Sequence, residues 1–145
     1  DDLGARHFIS SLLASKKDIG GLVLLDMIGW REKGDPVFQI SAGESAESLG
    51  LAQVALDAAR DFPELSPALR ARFDPRSYLY NTDGLIFSDA GFPVILFNEH
   101  INAAENLSRP GYHDTTDTSA RIDWGYAAGI AKIAITTAAR LAGMR

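Results

Sequence analysis

The chain has 145 residues and 15.6 kDa, of which 46% are hydrophobic and 23% charged, a composition that supports one domain with a real core and excludes a disordered chain. Fourteen lysines and arginines against 19 acidic residues give a net charge of -5, which argues against a basic nucleic-acid-binding domain, so no nucleic-acid partner is expected. The absence of cysteine excludes a disulfide scaffold, a cysteine-based zinc site and a thiol nucleophile, and no apolar run approaches the roughly 20 residues that a membrane span needs.

The chain opens on Asp1-Asp2 rather than methionine, so residue 1 is not expected to be the natural start. Residues 5–16 place Phe8, Leu12 and Leu13 at helical spacing, and Gly20-Gly21 ends that element. Residues 22–28 form a nearly continuous apolar run that suits a strand buried on both faces. Residues 36–40 read as a second strand after the turn Lys33-Gly34-Asp35. Residues 46–60 read as a helix with Ser45 as its N-cap. Residues 61–76 are punctuated by prolines, with one helical turn expected around Pro67 to Phe73. Residues 93–97 are the third strand, and residues 98–121 form a polar loop long enough to suggest a functional one. Residues 123–142 close the chain as a helix capped by Asp123, with Tyr126, Ile130, Ile133, Thr137 and Leu141 on one face. Alternating strands and helices predict an α/β fold, and three strands with so few helices read as part of a larger domain.

Four places could carry chemistry. Asp26 follows a buried apolar strand, where a charged carboxylate needs a partner. A metal ion would serve, and open α/β sheets place sites beyond the carboxyl ends of strands; a turn aspartate held by backbone N–H groups is the structural alternative. Tyr112-His113, before a helix, can put an imidazole in a pocket, with Asp114 or Asp117 fixing its tautomer, or it can be an ordinary surface loop. Asp83 can start a short helix, with Phe87 beneath it and Gly91-Phe92-Pro93 leading into the third strand. Asn98-Glu99-His100-Ile101-Asn102, followed by Glu105-Asn106, lies just past a strand. Adjacent residues rarely converge on one metal, so Glu99 and His100 read as pocket lining or loop anchors. His7, in an amphipathic helix, reads as a surface or packing residue. There is no Gly-x-Ser-x-Gly elbow, no P-loop and no His-Glu-x-x-His helix.

Taken in order, Leu25-Asp26-Met27-Ile28-Gly29, Thr82-Asp83-Gly84-Leu85-Ile86-Phe87 with Gly91-Phe92-Pro93, and Tyr112-His113 through Asp117-Thr118 resemble the three motifs in the C-terminal half of the co-catalytic zinc aminopeptidases. That family contains the bacterial leucyl aminopeptidases and aminopeptidases S and Y. Glutamate carboxypeptidase and glutaminyl cyclase are its distant relatives. Leu3-Gly4-Ala5-Arg6-His7-Phe8 also resembles the family's Leu-Gly-Ser/Ala-x-x-Phe helix start. The resemblance implies a three-layer α/β/α sandwich, present here as the C-terminal portion of one catalytic domain spanning residues 1–145. It implies that Asp26 is a terminal ligand of one zinc ion, that His113 is a ligand of the other, and that Tyr112 donates a hydrogen bond to the tetrahedral oxyanion. Asp83 would act behind the ligands or order the pocket. The family often has His where this chain has Gly84.

The family's His-x-Asp motif and Glu-Glu pair supply the bridging carboxylate and the general base, and they align upstream of residue 1. The resemblance therefore implies a parent enzyme that removes N-terminal residues from peptides with Zn2+, two per complete domain. The 145 residues alone are expected to be inactive and to bind zinc weakly or not at all. They should carry an exposed apolar sheet edge that favours association with the N-terminal half or self-association. Zinc is the expected metal, although carboxylate and imidazole ligands also suit cobalt or manganese. Family members are often secreted or periplasmic, which sets the expectation for compartment. Two alternatives are a glutaminyl-cyclase-like mono-zinc acyltransferase and a non-catalytic, receptor-like binding domain on the same fold.

Overall fold

The computed structural model describes residues 2–17, 19–71, 73–101 and 111–144. Asp1, Asn102, Glu105 and Asn106 lie outside the described residues. Helix α1 (Leu3–Ser15) leads to strand β1 (Leu22–Leu25), strand β2 (Val37–Ala42), helix α2 (Ala46–Ala59) and strand β3 (Ser66–Arg70). A 3-10 turn (Leu79–Asn81) precedes helix α3 (Gly84–Asp89) and strand β4 (Val94–Glu99). Another 3-10 turn (Ser119–Arg121) precedes helix α4 (Trp124–Leu141).

The sheet order is β1-β4-β2-β3. β1 runs parallel to β4, β4 antiparallel to β2, and β2 parallel to β3. Because side chains alternate along a strand, each strand serves two layers. Phe38, Ile40 and Ala42 of β2 join Ile95 and Phe97 of β4 against α2 and α4. Val94 and Leu96 point the other way, into the cluster formed with α1 and α3. The result is the three-layer α/β/α sandwich. Each fully buried Phe or Ile contributes about 1.5–3 kcal/mol, and the rings of Phe38 and Phe97 stack with centroids 6.2 Å apart.

Local capping follows the expectation. Ser45 Oγ accepts the Ser48 N–H at 3.1 Å, and Asp123 Oδ1 accepts the Tyr126 N–H at 3.0 Å. Four local readings are corrected. The proline-punctuated stretch holds strand β3 rather than a helical turn, with Pro67 opposite Phe38, so the sheet has four strands and not three. An edge strand tolerates the missing N–H of proline, which is why the composition misled. The first strand ends at Leu25 rather than at residue 28, and it lies half-buried at the sheet edge rather than buried on both faces. Helix α1 buries Ala5, Ile9 and Leu12, while Phe8 and Leu13 remain 51% and 60% exposed. Leu141, assigned to the inner face of α4, is exposed.

Candidate functional site

β1 and β4 run parallel, so their carboxyl ends open on the same edge of the sheet. Asp26 is the first residue past β1, and its N–H donates to Phe97 O at 3.2 Å. The next residue, Met27, has φ 52°, a left-handed conformation that costs a non-glycine residue energy. Two bonds from β4 hold that turn. The Glu99 N–H donates to Met27 O at 2.8 Å, and Glu99 Oε2 accepts the Trp30 N–H at 3.3 Å. Glu99 is 3% exposed. His100, next in the chain, places Nδ1 2.8 Å from Asp35 Oδ2. Both residues therefore tie the end of β4 to the loop between β1 and β2.

The loop is tied a third time through Arg31. Its Nε donates to Asp123 Oδ2 at 2.7 Å, and its guanidinium lies 5.2 Å from the centre of the Tyr126 ring. The Tyr126 N–H first, and the Arg31 guanidinium next, hold the Asp123 carboxyl below the usual carboxylate range. Tyr126 donates its hydroxyl to Val37 O at 2.6 Å, and burial pushes its phenol well above the ordinary value. These bonds set where the Asp26 turn sits relative to α4.

Asp26 and His113 line one cavity of about 400 Å³ with Met27, Tyr78, Asn81, Tyr112 and Asp117. His113 also has φ 52°, and its ring stacks on Tyr112 at 4.2 Å with 10° between the planes. Thus two residues held in the left-handed region, Met27 and His113, face the same cavity. Among the described residues neither the Asp26 carboxylate nor the His113 imidazole has a side-chain hydrogen bond or ion pair. The Tyr112 hydroxyl lies 2.7 Å from the Tyr78 hydroxyl. A second cavity of about 440 Å³ is lined by Asp2, Asp26, Tyr80, Asn81, Thr82, Asp83 and Leu85.

Asp83 immediately precedes α3 but does not cap it; the Gly84 N–H goes to Thr82 Oγ1 at 3.2 Å. Asp117 reaches the His113 cavity without a bond to the imidazole among the described residues, and Asp114 spends its Oδ1 on the Thr116 N–H at 3.0 Å. His7 is exposed on α1. Tyr78 is a residue of the site that the sequence motifs do not mark. A buried tyrosine needs a partner for its hydroxyl, yet nothing in residues 74–82 says that the partner is 34 residues away.

Asp26 and His113 line one cavity, and a carboxylate with an imidazole suits a zinc ion in ligand type. Among the described residues no third His, Asp or Glu joins them closely enough to complete a metal site. No helix is long and apolar enough to cross a membrane among the described residues.

The sequence profile described as Peptidase family M28 matches residues 2–138. Comparison with curated proteins finds no match. Two solved structures of LapA from Legionella pneumophila, one titled as an aminopeptidase, share the fold. Their TM-scores are 0.78 and 0.76 at 17% and 18% identity, over 97% and 99% of this chain. The chain spans 37% and 36% of those two structures.

Proposed function

The chain belongs to peptidase family M28, and from that premise we propose that residues 1–145 are the C-terminal part of a di-zinc aminopeptidase domain. One observation carries the reading. Asp26 and His113, neither with a side-chain hydrogen bond or ion pair among the described residues, line one cavity together with Tyr112. Asp26 would hold one zinc ion and His113 the other. When bound, the two ions supply a water of lowered pKa and polarise the scissile carbonyl. Tyr112 donates its proton to the oxygen on which negative charge develops. The stacking of Tyr112 on His113 makes one rigid unit of the oxyanion donor and the ligand. Asp83 and Asp117 order the rims of the two cavities. The substrate is the N-terminal segment of a peptide.

The bridging carboxylate and the general base come from segments upstream of residue 1. The placement of Asp2 supports this, because it lines a cavity together with Asp26 and so brings the start of α1 to the site. The rest of the sheet adds at β1. There Val23 and Leu25 form an apolar groove of about 340 Å³ with Ala131, Ala134, Ile135 and Ala138 of α4.

The test is zinc content and hydrolysis of a leucine anilide by the full-length protein. We expect two zinc ions per domain, and Asp26→Ala and His113→Ala each to lose zinc and to reduce kcat/KM by at least about 100-fold, equivalent to about 2.7 kcal/mol of lost transition-state stabilisation. Unchanged zinc content and unchanged turnover in both variants would overturn the assignment.

A further inference from the structure

The Tyr78 and Tyr112 hydroxyls are 2.7 Å apart, yet the two residues are held very differently. Tyr78 is buried in the core beside Leu79, Val94 and Ile101. Its backbone segment is pinned to the sheet, since Gln39 Nε2 donates to Arg76 O at 3.0 Å. Gln39 is itself fully buried, and its Oε1 takes the Arg70 Nε at 3.0 Å and the Ile101 N–H at 3.1 Å. Tyr112 instead sits on the turn segment 111–116, which is held by short-range bonds such as Asp114 N–H to Gly111 O at 3.1 Å. Tyr78 is thus the partner that the core holds in place.

A phenol has one proton and can also accept hydrogen bonds on its oxygen. If Tyr112 donates to a developing oxyanion, its proton is committed, so the contact with Tyr78 can persist only with Tyr78 as donor. A hydroxyl that accepts one bond donates a stronger one, by about 10–30%. Tyr78 would then fix the position of the Tyr112 hydroxyl and polarise it.

We propose that Tyr78 is a positioning residue for the peptidase reaction: it donates its hydroxyl proton to Tyr112 and aims the Tyr112 proton into the cavity shared with Asp26 and His113. This rests on the oxyanion role proposed above for Tyr112. Tyr78 makes no contact with substrate in this scheme and acts only through Tyr112.

The experiment uses the zinc-loaded full-length protein with Tyr78→Phe, Tyr112→Phe and both together. Tyr78→Phe should reduce kcat about 3- to 30-fold with KM within about twofold, and the double variant should be no slower than Tyr112→Phe alone, as for residues that act as one unit. A purely structural Tyr78 would lower the melting temperature and leave kcat of the folded enzyme unchanged. An undiminished kcat in Tyr78→Phe, or full additivity in the double variant, overturns the proposal while the oxyanion role stands. Undiminished kcat in Tyr112→Phe overturns that role and this proposal with it.

Discussion

Asp35 and His100 lie 65 residues apart in the chain and meet at 2.8 Å, joining the loop that follows Asp26 to the end of β4. Burial works to raise the Asp35 carboxyl, but the bonds from His100 and from the Val37 N–H outweigh it and leave the group below the usual range. A carboxylate whose folded value is depressed stabilises the fold above the unfolded value of about 3.9, and that contribution is lost as pH falls through the folded value. At pH 5–6 the Asp35→Ala variant should be less stable by about 1–2 kcal/mol. Urea midpoints measured from pH 6 downward should show the gap narrowing below about pH 4. A gap that stays constant down to about pH 2.5 would mean that the pair contributes nothing that titrates.

Glu99 holds the Asp26 turn by accepting the Trp30 N–H. Truncating a buried acceptor leaves its donor unpaired, which costs about 1–3 kcal/mol. Glu99→Ala should therefore destabilise the protein by about that much, and Glu99→Gln, which keeps an acceptor, by less. Amide hydrogen exchange reads the local effect: the Trp30 N–H should lose protection in the Ala variant and keep most of it in the Gln variant. Equal protection in both would show that the turn does not depend on this bond.

Gly84 occupies the position at which the family often carries histidine. A Cβ there would meet Leu79 Cγ at 3.0 Å and Thr82 Oγ1 at 3.1 Å. Leu79 is fully buried beneath α3 and cannot yield easily. Gly84→Ala should destabilise by about 1–3 kcal/mol through overpacking. By contrast, a Cβ at Gly50 in α2 would meet no atom within 4 Å, so Gly50→Ala should raise stability by about 0.5–1 kcal/mol. Thermal melts of the two variants should move in opposite directions, and a shift of the same sign would refute the steric account.

Ile135 is 68% exposed on α4, where it lines the groove beside Val23 and Leu25. If the remaining strands of the domain cover that groove, Ile135→Lys buries a charge and removes apolar contact. The full-length variant should then lose more than about 2 kcal/mol. An ordinary surface position tolerates the same change within about 0.5 kcal/mol. Denaturant unfolding of the full-length variant decides between them, and the smaller value would remove the groove as the seat of those strands.

The helix caps were legible in the sequence because they are local. Ser45 and Asp123 each bond an N–H three residues on, so neighbouring side chains carry all the information. The motifs around Asp26, Thr82 and Tyr112 were legible for a similar reason, since each is a short run of residues with a fixed turn or strand end. β3 was not legible. Its Pro67 and Arg70 are poor strand signals, and only the open edge of β2 recruits the segment into the sheet.

The order of these elements along the chain already specified an α/β chain with a carboxylate and an imidazole at strand and loop ends. Their meeting was settled by packing. Asp26 shares a cavity with His113 because β1 pairs with β4, and because Glu99, His100 and Arg31 tie the intervening loop to the sheet and to α4. The Tyr78 and Tyr112 hydroxyls are 34 residues apart in sequence and adjacent in space. A bond within three residues is encoded by local backbone geometry, whereas a bond across tens of residues exists only once the core has fixed both of its ends.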